Sequence, residues 1–292
     1  MQQHPAPNSP QSELAALARL AEQPDARIDL CAAALTISRL FGGYAEPAAA
    51  ADDAQARLDL ITAAARARVP ADAELLEQVR ALNLLLFDEL GFAGNQEDFY
   101  DPRNSFLDQV LQRRLGIPIT LAMVYCEVAA RLDIPAYGVG FPGHFLVRVG
   151  RGATALMLDV YAGGVALPEA ELDRRLVEIF GDGAPTIRSQ PSLLRPATNR
   201  EILVRMLRNL IGIYRARGDN GNLLEALTAV LAVAPDLPDE LRQRGLLYRD
   251  LGYVPAALAD LRRFAELSDD ASQIAAVSPV IEALESQPQR LH

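Results

Sequence analysis

The residues best suited to chemistry fall in one stretch of this 292-residue chain, from Asp101 to Gly164. His144 follows a Pro142-Gly143 pair, and Asp159 lies downstream as a natural partner for one of its ring nitrogens. A carboxylate beside an imidazole fixes which nitrogen carries the proton, so the two could form an acid–base pair, a ligand contact or a purely structural bond. Thr120 places a hydroxyl within the first turn of a helix, where hydroxyls often cap or pack. Upstream, Asp101, Arg103 and Asn104 form a polar cluster in a loop. Arginine suits bidentate contact with a carboxylate or peptide, which makes the cluster a candidate binding site. The alternative is that Asp101 and Asn104 cap the following helix while Arg103 pairs with an acid.

Other chemistries find little material. The two cysteines, Cys31 and Cys126, form no Cys-x-x-Cys pair, and His4 and His292 lie near the termini. Neither a disulfide framework nor a metal site is expected, and no cofactor. Cys31 sits in an apolar helical stripe and reads as a small buried hydrophobe. A net charge of −10 argues against a nucleic-acid surface, which needs clustered, uncompensated cations. No apolar run reaches the roughly 18–20 residues that cross a bilayer, and Met1 to Pro10 does not read as a secretion signal. A cytoplasmic location is the expectation.

The elements that must position these residues follow from periodicity and punctuation. Residues 1–12 read as a disordered tail. Helical patterns follow over Leu14 to Ala21, Ile28 to Phe41, Asp52 to Ala67 and Asp72 to Leu90. A polar loop, Gly94 to Asn104, comes next. Ser105 offers an N-cap for a helix ending at Gly116, and Pro118 opens another, with an apolar stripe through Leu121, Val124, Tyr125, Val128 and Leu132. Three strand-like segments follow, at 136–141, 144–149 and 155–160, bounded by glycine or proline as in antiparallel hairpins. Helices beside a small antiparallel sheet make an α+β domain.

Three motifs carry a resemblance: Asp101-Pro-Arg-Asn-Ser-Phe106, Arg113-Arg-Leu-Gly-Ile-Pro-Ile-Thr120 and Phe141-Pro-Gly-His-Phe-Leu-Val147. In this order they resemble the bacterial SirB-type family, which joins a transglutaminase-like core of the papain-type superfamily to tetratricopeptide repeats. That core implies a Cys-His-Asp triad whose thiol is activated at a helix start. His144 and Asp159 match its second and third positions. Pro118 stands where the resemblance puts the cysteine, and proline carries no nucleophile. Cys126, eight residues on, would lie roughly 12 Å further along a helix. Thr120 is then the remaining nucleophile candidate, beside an activated water.

A helix from Leu167 to about Phe180 and a loop to Pro196 lead to a second module. There Tyr214-x-x-x-Gly218 recurs 34 residues on as Tyr248-x-x-x-Gly252, the tetratricopeptide period. The register pairs Leu207 with Leu241, Leu223 with Ala257, Leu227 with Leu261 and Val230 with Phe264. Tyr214 and Tyr248 either pack between paired helices or contact a ligand. The expected organisation is a core over residues 13–185 with a helical N-terminal part, then an all-α repeat module over 199–292. Its repeats cover 204–237 and 238–271, with a capping helix at 274–284.

The expected function is a non-catalytic, pseudoenzyme-type protein that binds a protein or peptide, with a regulatory role. The alternative is a hydrolase or acyltransferase using His144 and Asp159 with Thr120 or a water.

Overall fold

The computed structural model describes residues 9–286. The first eight residues of the expected tail lie outside that range, and a helix, α1, already spans Pro10–Ala21. The described residues divide into two compact units, one of residues 9–13 and 24–206, the other of residues 14–23 and 207–286.

In the first unit, Asp29 caps α2 (Leu30–Phe41) by accepting from Ala32 N at 2.9 Å. Proline at the first turn opens α3 (Pro47–Arg68). The helix expected through Leu90 is instead α4 (Leu75–Asn83) followed by a π-helical turn over Leu84–Glu89. The run Leu84-Leu85-Leu86 explains the change. Leu85 and Leu86 are both buried while Leu84 is exposed, and the wider turn carries two adjacent side chains inward.

Two short strands, β1 (Ala93–Gly94) and β2 (Leu115–Gly116), pair in parallel and clamp the polar loop between them. Ser105 is not a helix cap: Asp101 caps a 3₁₀ turn over Pro102–Ser105, and α5 (Leu107–Arg113) starts one residue after Phe106. Gly116 does not end that helix either, because Arg114 takes the left-handed conformation with φ 60° and terminates it first. Glycine serves at 116 for another reason. A Cβ there would lie 2.9 Å from Thr120 Oγ1, at the start of α6 (Pro118–Arg131).

The sheet is antiparallel in the order β3 (Ala136–Val139), β4 (Leu146–Val149), β5 (Leu156–Asp159) and β6 (Val165–Ala166). The fourth strand was not expected. Val147 pairs with both Gly138 and Leu158, which fixes the register around the His144 turn and Asp159. α6 packs on β3 and β4, burying Leu121, Val124, Tyr125 and Val128. α7 (Glu169–Phe180) turns Leu172 and Leu176 into a core shared with Val139, Phe141 and Leu146. Burial of such side chains contributes about 1.5–3 kcal/mol each.

α8 (Asn199–Ala216) begins in the first unit. The second unit comprises residues 14–23, which hold most of α1, the later turns of α8, and α9 (Asn220–Val233), α10 (Pro238–Asp250), α11 (Val254–Leu267) and α12 (Ala271–Glu285). All eight residues of the four repeat-register pairs are buried. The turns match as well: Gly218 and Gly252 both have positive φ, and Asp219 N donates to Tyr214 O as Tyr253 N does to Tyr248 O.

Candidate functional site

His144 is presented by a tight turn that its sequence dictates. Pro142 presets φ, Gly143 takes φ 65°, and His144 N donates to Phe141 O at 3.0 Å, as in a turn of the Pro-Gly type. From the end of β5, Asp159 reaches the ring. His144 Nε2 lies 2.9 Å from Asp159 Oδ1, the Asp159 side chain being 4% exposed and that of His144 20%.

Arg175 Nη1 donates to Asp159 Oδ2 at 3.0 Å and its Nε to Glu171 Oε1 at 3.1 Å, one helical turn away on α7. Ala162 N donates to Asp159 Oδ1 at 3.2 Å. Burial alone would raise the Asp159 carboxyl. Hydrogen bonds and charge from His144 and Arg175 outweigh that and hold it below the ordinary range. An ionised carboxylate only accepts, so in the neutral imidazole it selects the tautomer with the proton on Nε2 and leaves Nδ1 with its lone pair. Nδ1 can therefore take a proton or accept a hydrogen bond from a ligand.

Around the pair stand groups that sequence reasoning did not single out. Tyr161 meets the His144 ring edge-on at 6.2 Å and Phe99 at 6.1 Å, while Phe99 in turn meets Tyr100 at 5.3 Å. Tyr100 is 69% exposed. On the other side, a Cβ on Gly143 would lie 2.9 Å from Ile179 Cδ1 of α7. The clue to Tyr161 was its place two residues beyond Asp159. Arg175 gave none, since its spacing from Glu171 is that of an ordinary surface pair.

Thr120, Asp101 and Asn104 lie together, and the structure gives their polar groups partners away from His144. Thr120 is fully buried. Its Oγ1 accepts from Ile117 N at 3.1 Å, and its single proton lies between Asn104 O at 2.8 Å and Ile117 O at 3.1 Å. Asn104, also fully buried, donates to Asp98 O and Phe99 O and accepts from Asn95. Asp101 accepts from Arg103 N and Nε, and Arg113 approaches at 3.4 Å. Burial pushes the Asp101 carboxyl up, but the bonds from Arg103 and the charges of Arg103 and Arg113 bring it below its ordinary range. Within the cluster only Arg103 faces solvent, with a 60% exposed side chain.

Pro118 occupies the first turn of α6 after Ile117 at the N-cap. The two thiols are held neutral. Burial pushes Cys126 up to about 12 and raises Cys31 as well, with Glu127 adding to both. Among the described residues no group of three or more His, Cys, Asp or Glu could hold a metal ion, and no helix is long and apolar enough to cross a membrane. In the repeats, Tyr214 is buried. Tyr248 is half-buried, its ring edge-on to Tyr253 and beneath Arg244.

Comparison with known proteins matches residues 52–208 to the transglutaminase-like superfamily and residues 210–282 to the tetratricopeptide repeat. A UPF0162 protein of Xylella fastidiosa is 44% identical over 190 residues, 65% of this chain and 68% of the relative. The UPF0162 protein of Pseudomonas aeruginosa is 37% identical over 195 residues, 66% of this chain and 70% of the relative. Human F-box only protein 21 is 32% identical over 196 residues, 62% of this chain but 30% of that longer protein. No solved structure matches.

Proposed function

Since the chain belongs to the transglutaminase-like superfamily, and repeats follow its core, we propose that it is a non-catalytic member that binds a protein or peptide partner in a regulatory role. The observation that carries this reading is Pro118 at the helix start where a superfamily thiol would stand. Without a thiolate there, His144 has nothing to deprotonate. Thr120 does not substitute for it, because its hydroxyl is bonded to Asn104 and Ile117. What is left is an imidazole held by Asp159, able to accept at Nδ1, beside exposed aromatic rings on a loop bonded to Asn104. Such rings anchor partners at low entropic cost. Helical repeats commonly add a groove for peptides.

The test compares wild type, His144→Ala and Pro118→Cys. Wild type is expected to turn over neither activated esters nor peptidyl carboxamides, and Pro118→Cys to gain a thiol that iodoacetamide modifies faster at pH 7 than Cys31 or Cys126. A photo-crosslinking residue at position 100 should trap a partner in cells that the same residue at exposed position 60 does not. Wild-type turnover that disappears with His144→Ala would replace this reading by a hydrolase or acyltransferase using activated water.

A further inference from the structure

We infer that Arg205 is a positioning residue for His144, holding the turn that carries it. Arg205 Nη2 donates to His144 O at 2.7 Å, and Nη1 reaches Phe141 O at 3.4 Å. These two carbonyls bracket the Pro142-Gly143 turn, so one guanidinium grips both of its ends from 61–64 residues away. Its guanidinium carbon lies over the Phe145 ring, 5.4 Å from the centroid, which fixes the residue after His144 too. The planar fork of arginine suits this double grip, and a lysine ammonium would make it poorly.

The environment supports a specific role over an incidental contact. Among the described residues no carboxylate pairs with Arg205, and burial lowers its pKa. A part-buried cation without an acid carries a desolvation cost that carbonyl contacts offset in part. An aliphatic side chain would pack there without that cost, so arginine costs stability at this position and gains the turn. The turn in turn sets where Nδ1 points, because the Nε2 bond to Asp159 and the backbone grip on either side of Gly143 fix the ring together. Arg205 of α8 thereby completes a site otherwise built from the turn before β4, the end of β5 and α7. The inference concerns how the ring is held, so it stands apart from what the ring binds.

The experiment uses the full chain, uniformly ¹⁵N-labelled, with the imidazole resonances of His144 assigned by His144→Gln. Wild type should show Nε2 protonated, Nδ1 bare, and an Nε2–H proton slow to exchange with solvent. Arg205→Met, folded by circular dichroism and amide dispersion, should exchange that proton about tenfold faster and average the two tautomers, with Arg205→Lys in between. A folded Arg205→Met with the wild-type tautomer and exchange rate would overturn the inference and leave Arg205 as packing. If Arg205→Met does not fold, the wild-type guanidinium decides. Nη protons with slowed rotation and exchange support the grip, and Nη protons behaving like those of an exposed arginine overturn it. Every readout is on His144 or Arg205, so loss of partner binding alone leaves this result untouched.

Discussion

Two polar clusters are linked by Tyr161, whose hydroxyl donates to Asn95 O and whose ring meets that of His144, and they use their hydrogen-bonding capacity in opposite ways. At the Asn95–Asn104–Thr120 junction, Asn104 and Thr120 are fully buried and bonded to backbone or to each other's loops. At the His144–Asp159 pair the carboxylate is saturated by His144, Arg175 and Ala162, while the imidazole keeps one nitrogen in reserve on a partly exposed ring. Polar residues gathered in one stretch of sequence therefore divide into scaffold and site. The divider is whether a donor or acceptor is left over once the fold has formed.

The largest expected effect comes from the scaffold side. Asn104→Ala removes two donations and two acceptances, from Asn95 and Arg113, in a fully buried position and orphans Asn95 Nδ2. With about 1–3 kcal/mol for a buried group left unsatisfied, a loss of about 3 kcal/mol is expected. The measurement is the urea midpoint of the first unit by circular dichroism. A variant as stable as wild type but unable to cross-link its partner would break the comparison, since Asn104 would then belong to the site.

Thr120→Val sharpens it at smaller cost. The swap keeps the shape and removes the hydroxyl, leaving Ile117 N without its acceptor and Asn104 O without its donor, for about 2 kcal/mol. Thr120→Ser should recover most of that. Equal loss of ester turnover in Thr120→Val and His144→Ala, at matched folding, would make Thr120 a nucleophile and move it to the other cluster.

Much of this arrangement was legible in the chain. The Pro142-Gly143 pair announces the turn, Pro118 announces the start of α6, and Tyr214 and Tyr248 announce the repeat. Each is a local signal, in which one or two residues restrict their own backbone or recur at a fixed period. Ser105 shows the limit of local signals: it has the right side chain for a cap, but Asp101 takes the role one turn earlier and closes a 3₁₀ turn. Arg175 and Arg205 lie beyond such reading altogether. They join the site through contacts 16 and 61 residues apart, set by how α7 and α8 pack, and nothing in their neighbourhood marks them off from the other arginines. Arginine is an uninformative letter here, because all 28 basic residues of the chain are arginine.

The smallest effect in ordinary buffer is the one that tests the site side most directly. Asp159 is held below its ordinary pKa of 3.8 in the folded chain, against the pull of burial, by His144 and Arg175. A carboxyl depressed in the folded state contributes stability that is present above the unfolded pKa and is lost as pH falls through the folded one. Wild type minus Asp159→Asn, measured as the difference in urea midpoint, should thus shrink as pH falls below 3.8. The amide can still accept from His144 and Ala162 with its oxygen, but its NH₂ then faces Arg175, donor against donor. Arg175→Gln should reduce the same acid-sensitive difference, because it removes one of the two groups that keep Asp159 ionised. A difference that stays flat down to pH 2 would mean that Asp159 gains nothing from being charged. The pair would then lose its fixed tautomer and, with it, the free Nδ1 that separates this cluster from the saturated one at Thr120.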